Sequence, residues 1–477
     1  MYLDLHIHPT LKPYGKSYGK PRKPADSTSE TSLWYQKHIT DFNRLIESVL
    51  GFVPYPQSSL KDLKDGNVKI AVVSLYPQEV GFVKNKLQHL NNSEELVNLI
   101  AAFGENRINT LASPVFDYYK DLEDEYAYLK LLNGVSNPQL PGKYILVENG
   151  QHLDNLLKNS EEKGTILLIN SIEGAHVFTH GNQPLNPNNK QQVIQLVDQV
   201  KNWQHRPFFI TLAHHFYNGV CAHAKSFDGP VAKFLDQSYC LNNLHPSQGL
   251  GHITTIGKDL IRKLLDNDQN NRILIDVKHM SLGARMEFYQ MMAEEYSNQV
   301  PIIFSHGGVM GVNSNRFHFY NKDINLTNGD IISIAKSGGL IGLEYDQRIM
   351  GMNEPGFKSR LGRTIGSVFK NKAAKQLLWA EPVFENMLHV ALVCQQNNLP
   401  AWDCLAIGSD YDGIINPLNQ YRVARTFPDM AGSITILLDQ YLKGPGQTLG
   451  SQYGLNAQQI VEKVFFSNAK DFIIKHF

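Results

Sequence analysis

Apolar and polar residues alternate strictly at the start of the chain, with Leu3, Leu5 and Ile7 interleaved with Asp4, His6 and His8. A period of two is the pattern of a strand with two unlike faces. His6 and His8 then leave the same face, one pleat apart, and Pro9 ends the ladder because it has no N–H to donate. Further on the alternation gives way to continuous apolar runs at Val68–Leu75, 165–170, 207–213, 272–277, 301–304, 340–343 and 404–407. Runs of this length, rich in branched aliphatic residues, predict strands buried on both faces.

Helical spacing lies between the runs. Val80, Val83, Leu87 and Leu90 form one stripe in 79–103, and Leu96, Leu99, Ile100 and Phe103 a second. Val193, Leu196, Val197, Val200 and Trp203 mark 190–203, and helices are also predicted at 36–50, 255–266, 282–296, 381–397, 456–465 and 468–476. Asp330 reads as the N-cap of a helix ended by Gly338-Gly339. The Lys/Pro/Gly/Ser-rich segment 10–35 reads as a mobile loop or lid with solvated basic residues. Residues 105–163 look less regular, apart from a short strand at 144–147. Eight buried strands separated by helices predict a parallel sheet closed into a (β/α)8 TIM-type barrel, with a doubly wound open sheet as the alternative. A single domain over 1–477 is expected, with insertions near 10–65, 104–163 and 313–380.

The strand ends carry the chemistry. Active sites of such barrels lie at the C-terminal ends of the strands, and these ends hold His6 and His8, Glu173, His214, His279, His306 and Asp410. Each has a bland explanation: a buried histidine satisfied by a carbonyl, or, for Asp410 in Asp-Tyr-Asp-Gly, an ordinary turn residue. Six matching ends out of eight make a shared metal site the better reading. Imidazoles from different strands can hold zinc-like ions. A carboxylate such as Glu173 can bridge two of them, and an aspartate beside the bridging hydroxide can carry its proton to a leaving amine.

Composition narrows the partners. The chain is 42% hydrophobic and 19% charged, with 45 basic and 45 acidic residues and no dense Lys/Arg run. That argues against nucleic acid and anionic membrane and for a small-molecule substrate. The four cysteines (Cys221, Cys240, Cys394 and Cys404) lack metal-ribbon spacing and read as reduced thiols. No signal-type n- and h-region opens the sequence, and no apolar run approaches the roughly 18 residues a span needs. A cytoplasmic protein is the expectation, and a homodimer is compatible with it.

Several stretches, in order along nearly the whole chain, resemble the membrane (renal) dipeptidase family of the metal-dependent amidohydrolases. They are Ser171-Ile172-Glu173-Gly174-Ala175-His176, Leu212-Ala213-His214 with Asn218, Leu274-Ile275-Asp276-Val277-Lys278-His279-Met280-Ser281, Ile303-Phe304-Ser305-His306, and Ile407-Gly408-Ser409-Asp410-Tyr411-Asp412-Gly413. Gly249–Leu264 and Phe466-Ser467-Asn468-Ala469 extend the likeness. The resemblance implies a barrel with two divalent ions, zinc first, that hydrolyses a dipeptide. It implies that Glu173 bridges the ions, that His6 and His8 hold the first, and that His279 and His306 hold the second. His214 would polarise the scissile carbonyl, Asp410 would handle the proton, and Arg316 and Asn218 would meet the substrate. One departure stands out: the family's first motif usually ends in aspartate where this chain has His8, which replaces an anionic oxygen with a neutral nitrogen. Hydrolysis of a lactone, cyclic amide or phosphoester on the same metals is the alternative, and an inactive ligand-binding barrel a more distant one.

Overall fold

Strands β1 (Tyr2–Ile7), β2 (Val68–Leu75), β4 (Ile166–Glu173), β5 (Phe209–Thr211), β6 (Leu274–Asp276), β7 (Ile303–Phe304), β8 (Leu340–Leu343) and β9 (Leu405–Ile407) pair in that order, every pair parallel. They form a nearly closed eight-stranded barrel with helices between, a (β/α)8 fold, in a computed structural model that describes residues 1–40, 53–83, 104–111, 113–227, 252–312, 317–352, 354 and 371–477. The seam between β9 and β1 is closed by backbone just past the strands: His8 N–H donates to Tyr411 O at 2.9 Å and Asp410 N–H to His6 O at 3.0 Å. The short strand β3 (Tyr144–Leu146) pairs with the first half of β4, and β5 takes over at Ile172 and Glu173.

Every residue of β2 and β4 is buried, as continuous apolar runs require. β4 runs three residues further than the apolar run at 165–170 indicates, through Ser171 and Ile172 to Glu173. The polar pair is tolerated because Asn170 Nδ2 donates to His205 O at 2.8 Å and Ser171 Oγ to Val73 O at 3.4 Å. Glu173 therefore sits on the last rigid rung of a strand.

Several expectations need correction. Residues 11–17 form a helix, Leu11–Ser17, whose Leu11, Lys12, Pro13 and Tyr14 are buried, so the start of 10–35 is packed wall. Its basic residue Lys12 is neutralised by Asp412 at 2.5 Å, a partner 400 residues away. Residues 105–163 contain helices Glu105–Leu111, Tyr118–Lys130 and Gly150–Lys158. In the second of these Tyr118, Leu122, Tyr126 and Leu129 recur on one buried face. Thr327, rather than Asp330, caps Asn328–Lys336. Asp330 is the third residue of the helix, where its side chain closes the capping box, and it also pairs with the buried Arg285.

The helix expected at 381–397 begins at Lys372 and continues through Pro382. It is the one described helix long and apolar enough to cross a bilayer, yet 72% of its apolar window is buried against the barrel. Of the pattern at 79–103, the described part is a 3-10 turn at Val80–Phe82. The rest, and the helix at 36–50 apart from the coil before residue 41, lies outside the described residues.

Candidate metal centre

Glu173 is the hub. Its Oε2 lies 2.9 Å from His8 Nε2, and its Oε1 lies 3.5 Å from His6 Nε2, 3.4 Å from His279 Nε2 and 3.8 Å from His306 Nε2. The donor atoms of His6, His8 and Glu173 fall within 4.8 Å of one another, and so do those of Glu173, His279 and His306. One carboxylate thus belongs to two trios, each with two imidazoles, and all five side chains are buried. The chain turns sharply at both ends of this set. Gly174 has φ +95°, and a Cβ there would meet the His176 ring at 2.3 Å. His279 and Asp410 hold φ of +65° and +58°, strained for residues with side chains.

The backbone is pinned beneath these side chains. Asp4 accepts from Ser409 N–H at 2.9 Å and Ser409 Oγ at 2.5 Å, tying β1 to the end of β9. Asp276 accepts from Lys278 N–H and Ser305 N–H, both at 3.0 Å, and from Thr211 Oγ1 at 2.8 Å, tying β5, β6 and β7 together. Burial raises the Asp4 carboxyl to about 7 despite the Ser409 hydrogen bonds.

Each trio has a donor set that could hold a divalent ion. Glu173 Oε1 is buried, accepts no hydrogen bond, and faces three imidazole nitrogens at spacings that an ion with bonds of about 2 Å would fill. Burial holds His279 and His306 well below the usual histidine range, so their rings are neutral, as a ligand must be. For Glu173, burial works upward, but His214, His6 and His8 outweigh it and keep the carboxylate ionised. For His8, burial works downward, and Glu173 and Asp410 outweigh it, raising the ring to about 10.

Asp410 stands over the same ring of imidazoles, with Oδ1 3.5 Å from His8 Nε2 and 3.8 Å from His6 Nε2, and Oδ2 3.9 Å from His306 Nε2. Burial raises its carboxyl to about 6, against the pull of His8. Asp412, two residues on, faces away. It accepts from Gln57 N–H at 3.0 Å, Ser58 N–H at 2.9 Å and Ser58 Oγ at 2.6 Å, besides Lys12.

His214 points Nε2 at Glu173 Oε2, 3.6 Å away, while its Nδ1–H donates to Glu79 Oε2 at 2.6 Å. Burial of His214 works against its charge, but Glu173 and Glu79 outweigh it and raise the ring above its ordinary value. Burial likewise works to raise Glu79, and His214 holds it down at about 2. The Asn218 amide is spent on its own loop, donating to Leu212 O at 2.6 Å and accepting from Val220 N–H at 3.0 Å. Arg316 lies outside the described residues.

Sequence reasoning left two strand ends without chemistry, those of β2 and β8, and both carry a carboxylate. Glu79 follows β2 beyond Pro77. Glu344 directly follows β8, where its Oε2 takes the buried Lys278 Nζ at 3.1 Å. The strand-end rule that found the others would have found Glu344, the next residue after Leu343. With Arg348, Lys278 and Glu344 line the cavity above Glu173 and Asp410.

No family model matches the chain, and no curated protein matches its sequence. Solved structures do match. A metallopeptidase from Rhodobacter sphaeroides, bound to a phosphinate mimic of the dipeptide L-Ala-D-Ala, superposes with a TM-score of 0.55 at 12% identity, over 100% of this chain and 99% of that one. The probable dipeptidase PvdM from Pseudomonas aeruginosa superposes with a TM-score of 0.52 at 11% identity, over 100% of this chain and 96% of that one. At such low identity the likeness is one of fold: this chain has, from end to end, the barrel architecture of these two structures.

Proposed function

We propose that this chain is a binuclear metal-dependent hydrolase that cleaves the amide bond of dipeptides or dipeptide-like substrates. The observation that carries the reading is Glu173 shared between two buried trios, His6–His8–Glu173 and Glu173–His279–His306. The fold shared with a metallopeptidase and a probable dipeptidase supports it. In this reading each trio holds one divalent ion, zinc first, and the bound pair supplies an acidified water and polarisation of the scissile carbonyl.

The chain's own residues do the rest. Asp410, beside His6 and His8, accepts the proton of the attacking water and passes it to the leaving amine. His214, fixed by Glu79, presents its Nε2–H to the oxygen that gains charge, as a preorganised donor. Asn218 holds the loop that follows His214, so its effect on substrate runs through that loop. Arg316 remains the candidate for the substrate carboxylate. The test is metal analysis of the purified protein together with turnover of a panel of dipeptides and lactones. Two ions per chain and dipeptide turnover are expected; lactone turnover without dipeptide turnover would move the assignment to the alternative chemistry.

A further inference from the structure

His215 has no part in that chemistry, yet it borders the same cavity as Glu173 and His279. Its ring centroid lies 3.6 Å from that of His214 and 5.4 Å from that of His279. Its Nδ1 is hydrogen-bonded with Ser226 Oγ at 2.7 Å, while its Nε2 is buried and has no partner. With Nδ1–H donating to the serine, Nε2 carries the lone pair. His214 likewise engages its Nδ1–H with Glu79 and turns Nε2 inward, so an ion there takes the place of the Nε2 proton that His214 otherwise presents to the carbonyl oxygen. One nitrogen from each of His214, His215 and His279 lies within 4.8 Å of the others, all three residues buried.

We infer that His214, His215 and His279 form an alternative seat for the second divalent ion, exclusive of the Glu173–His279–His306 seat. The inference rests on the binuclear reading above. Exclusivity follows from His279, which is common to both seats, because a neutral imidazole has a single lone pair to give. An ion in this seat occupies His214 Nε2, the atom assigned to the carbonyl oxygen, so the seat is a resting position and His215 is the residue that creates it. Three neutral imidazoles without a carboxylate favour zinc, nickel or copper over manganese or magnesium, which prefer oxygen donors.

The test removes a ligand that only the productive seat uses and counts ions by mass spectrometry after dialysis in chelator-buffered metal. His306→Ala should retain close to two zinc per chain, and His306→Ala/His215→Asn should retain one. In buffered manganese, His306→Ala alone should already fall to one. Equal zinc content in the single and double variants would overturn the seat. Zinc-edge X-ray absorption of the folded His306→Ala chain is a second reading that needs no double variant: imidazole scattering per zinc should rise above that of wild type, and an equal or lower value would overturn the seat. Wild type holding fewer than two zinc ions would overturn the binuclear reading, and this seat with it; wild type holding two, with equal single and double variants, would overturn the seat alone.

Discussion

The two sides of Glu173 offer the same ligand count in opposite electrical surroundings. On the β1 side, His6 and His8 stand against Asp410, and Asp4 lies beneath them. On the β6–β7 side, burial depresses both His279 and His306; His214 adds to it at His279 and His6 at His306, and the cation Lys278, one residue before His279, adds to both. On the β6–β7 side both imidazoles are thus held neutral, whereas on the β1 side burial lowers His6 and His8 alone is held protonated. Two chemically similar pairs of histidines are expected to differ most in how they respond to acid.

The largest blow to this comparison is removal of its axis. Glu173→Ala strips a ligand from both trios, so at least one ion should be lost and activity should fall to background, read by metal analysis and turnover. Full metal content with full activity would break the assignment. Next comes Asp410→Asn, which keeps the shape but cannot accept a proton. It should lower kcat by roughly 10²-fold or more while ion content and thermal melting stay near wild type. A nearly silent Asp410→Asn beside a dead Asp412→Asn would reverse the roles given to the two aspartates.

Acid sharpens the contrast between the sides. Because the His8 ring is raised to about 10, a metal on the β1 side competes with a proton over the whole neutral range, and its affinity should fall by up to about tenfold per unit of acidification. His279 and His306 carry no such proton, so dialysis at falling pH should release the β1-side ion first. His8→Asp should keep metal and hydrolysis with a flatter pH dependence, whereas His8→Phe should lose the β1-side ion at every pH. Equal occupancy in both variants would mean that His8 only packs beside the site. In the metal-free chain, the same raised pKa makes His8 stabilising below the 6.5 of a free imidazole, a contribution lost as pH rises through about 10. The smallest effect expected is that of Asp412→Asn. It weakens acceptance from Gln57, Ser58 and Lys12, costing about 1–3 kcal/mol in melting experiments with little change in kcat.

Much of this arrangement is legible in the bare sequence because strands of a parallel barrel announce themselves locally. A buried strand needs an unbroken apolar run, and its last residues must face the mouth, so His6, Glu173, His214, His279, His306 and Asp410 could be placed by position alone. What escaped depends on partners far along the chain. Lys12, Arg107 and Arg285 look like surface residues until their mates Asp412, Asp121 and Asp330 are brought beside them. The helix Tyr118–Lys130 was hidden because tyrosines form its buried face, supplying apolar area while counting as half polar. Glu79 escaped because Val80 and Val83 suggested a helix stripe in which a glutamate draws no notice.

The bond between Asp4 and Ser409 spans 405 positions of sequence. Strand β1 leaves the ribosome before the other described strands, yet its far edge is hydrogen-bonded to the segment that follows β9, the last described strand to be made. Non-local pairings of this kind form late and slowly. The β1 imidazoles therefore emerge hundreds of residues before the partners that fix them, and the site becomes whole only when the ring of strands shuts. Metal supplied during refolding should act as a clasp on that final step, slowing re-opening of the seam far more than it speeds the early pairing of β2 with β4.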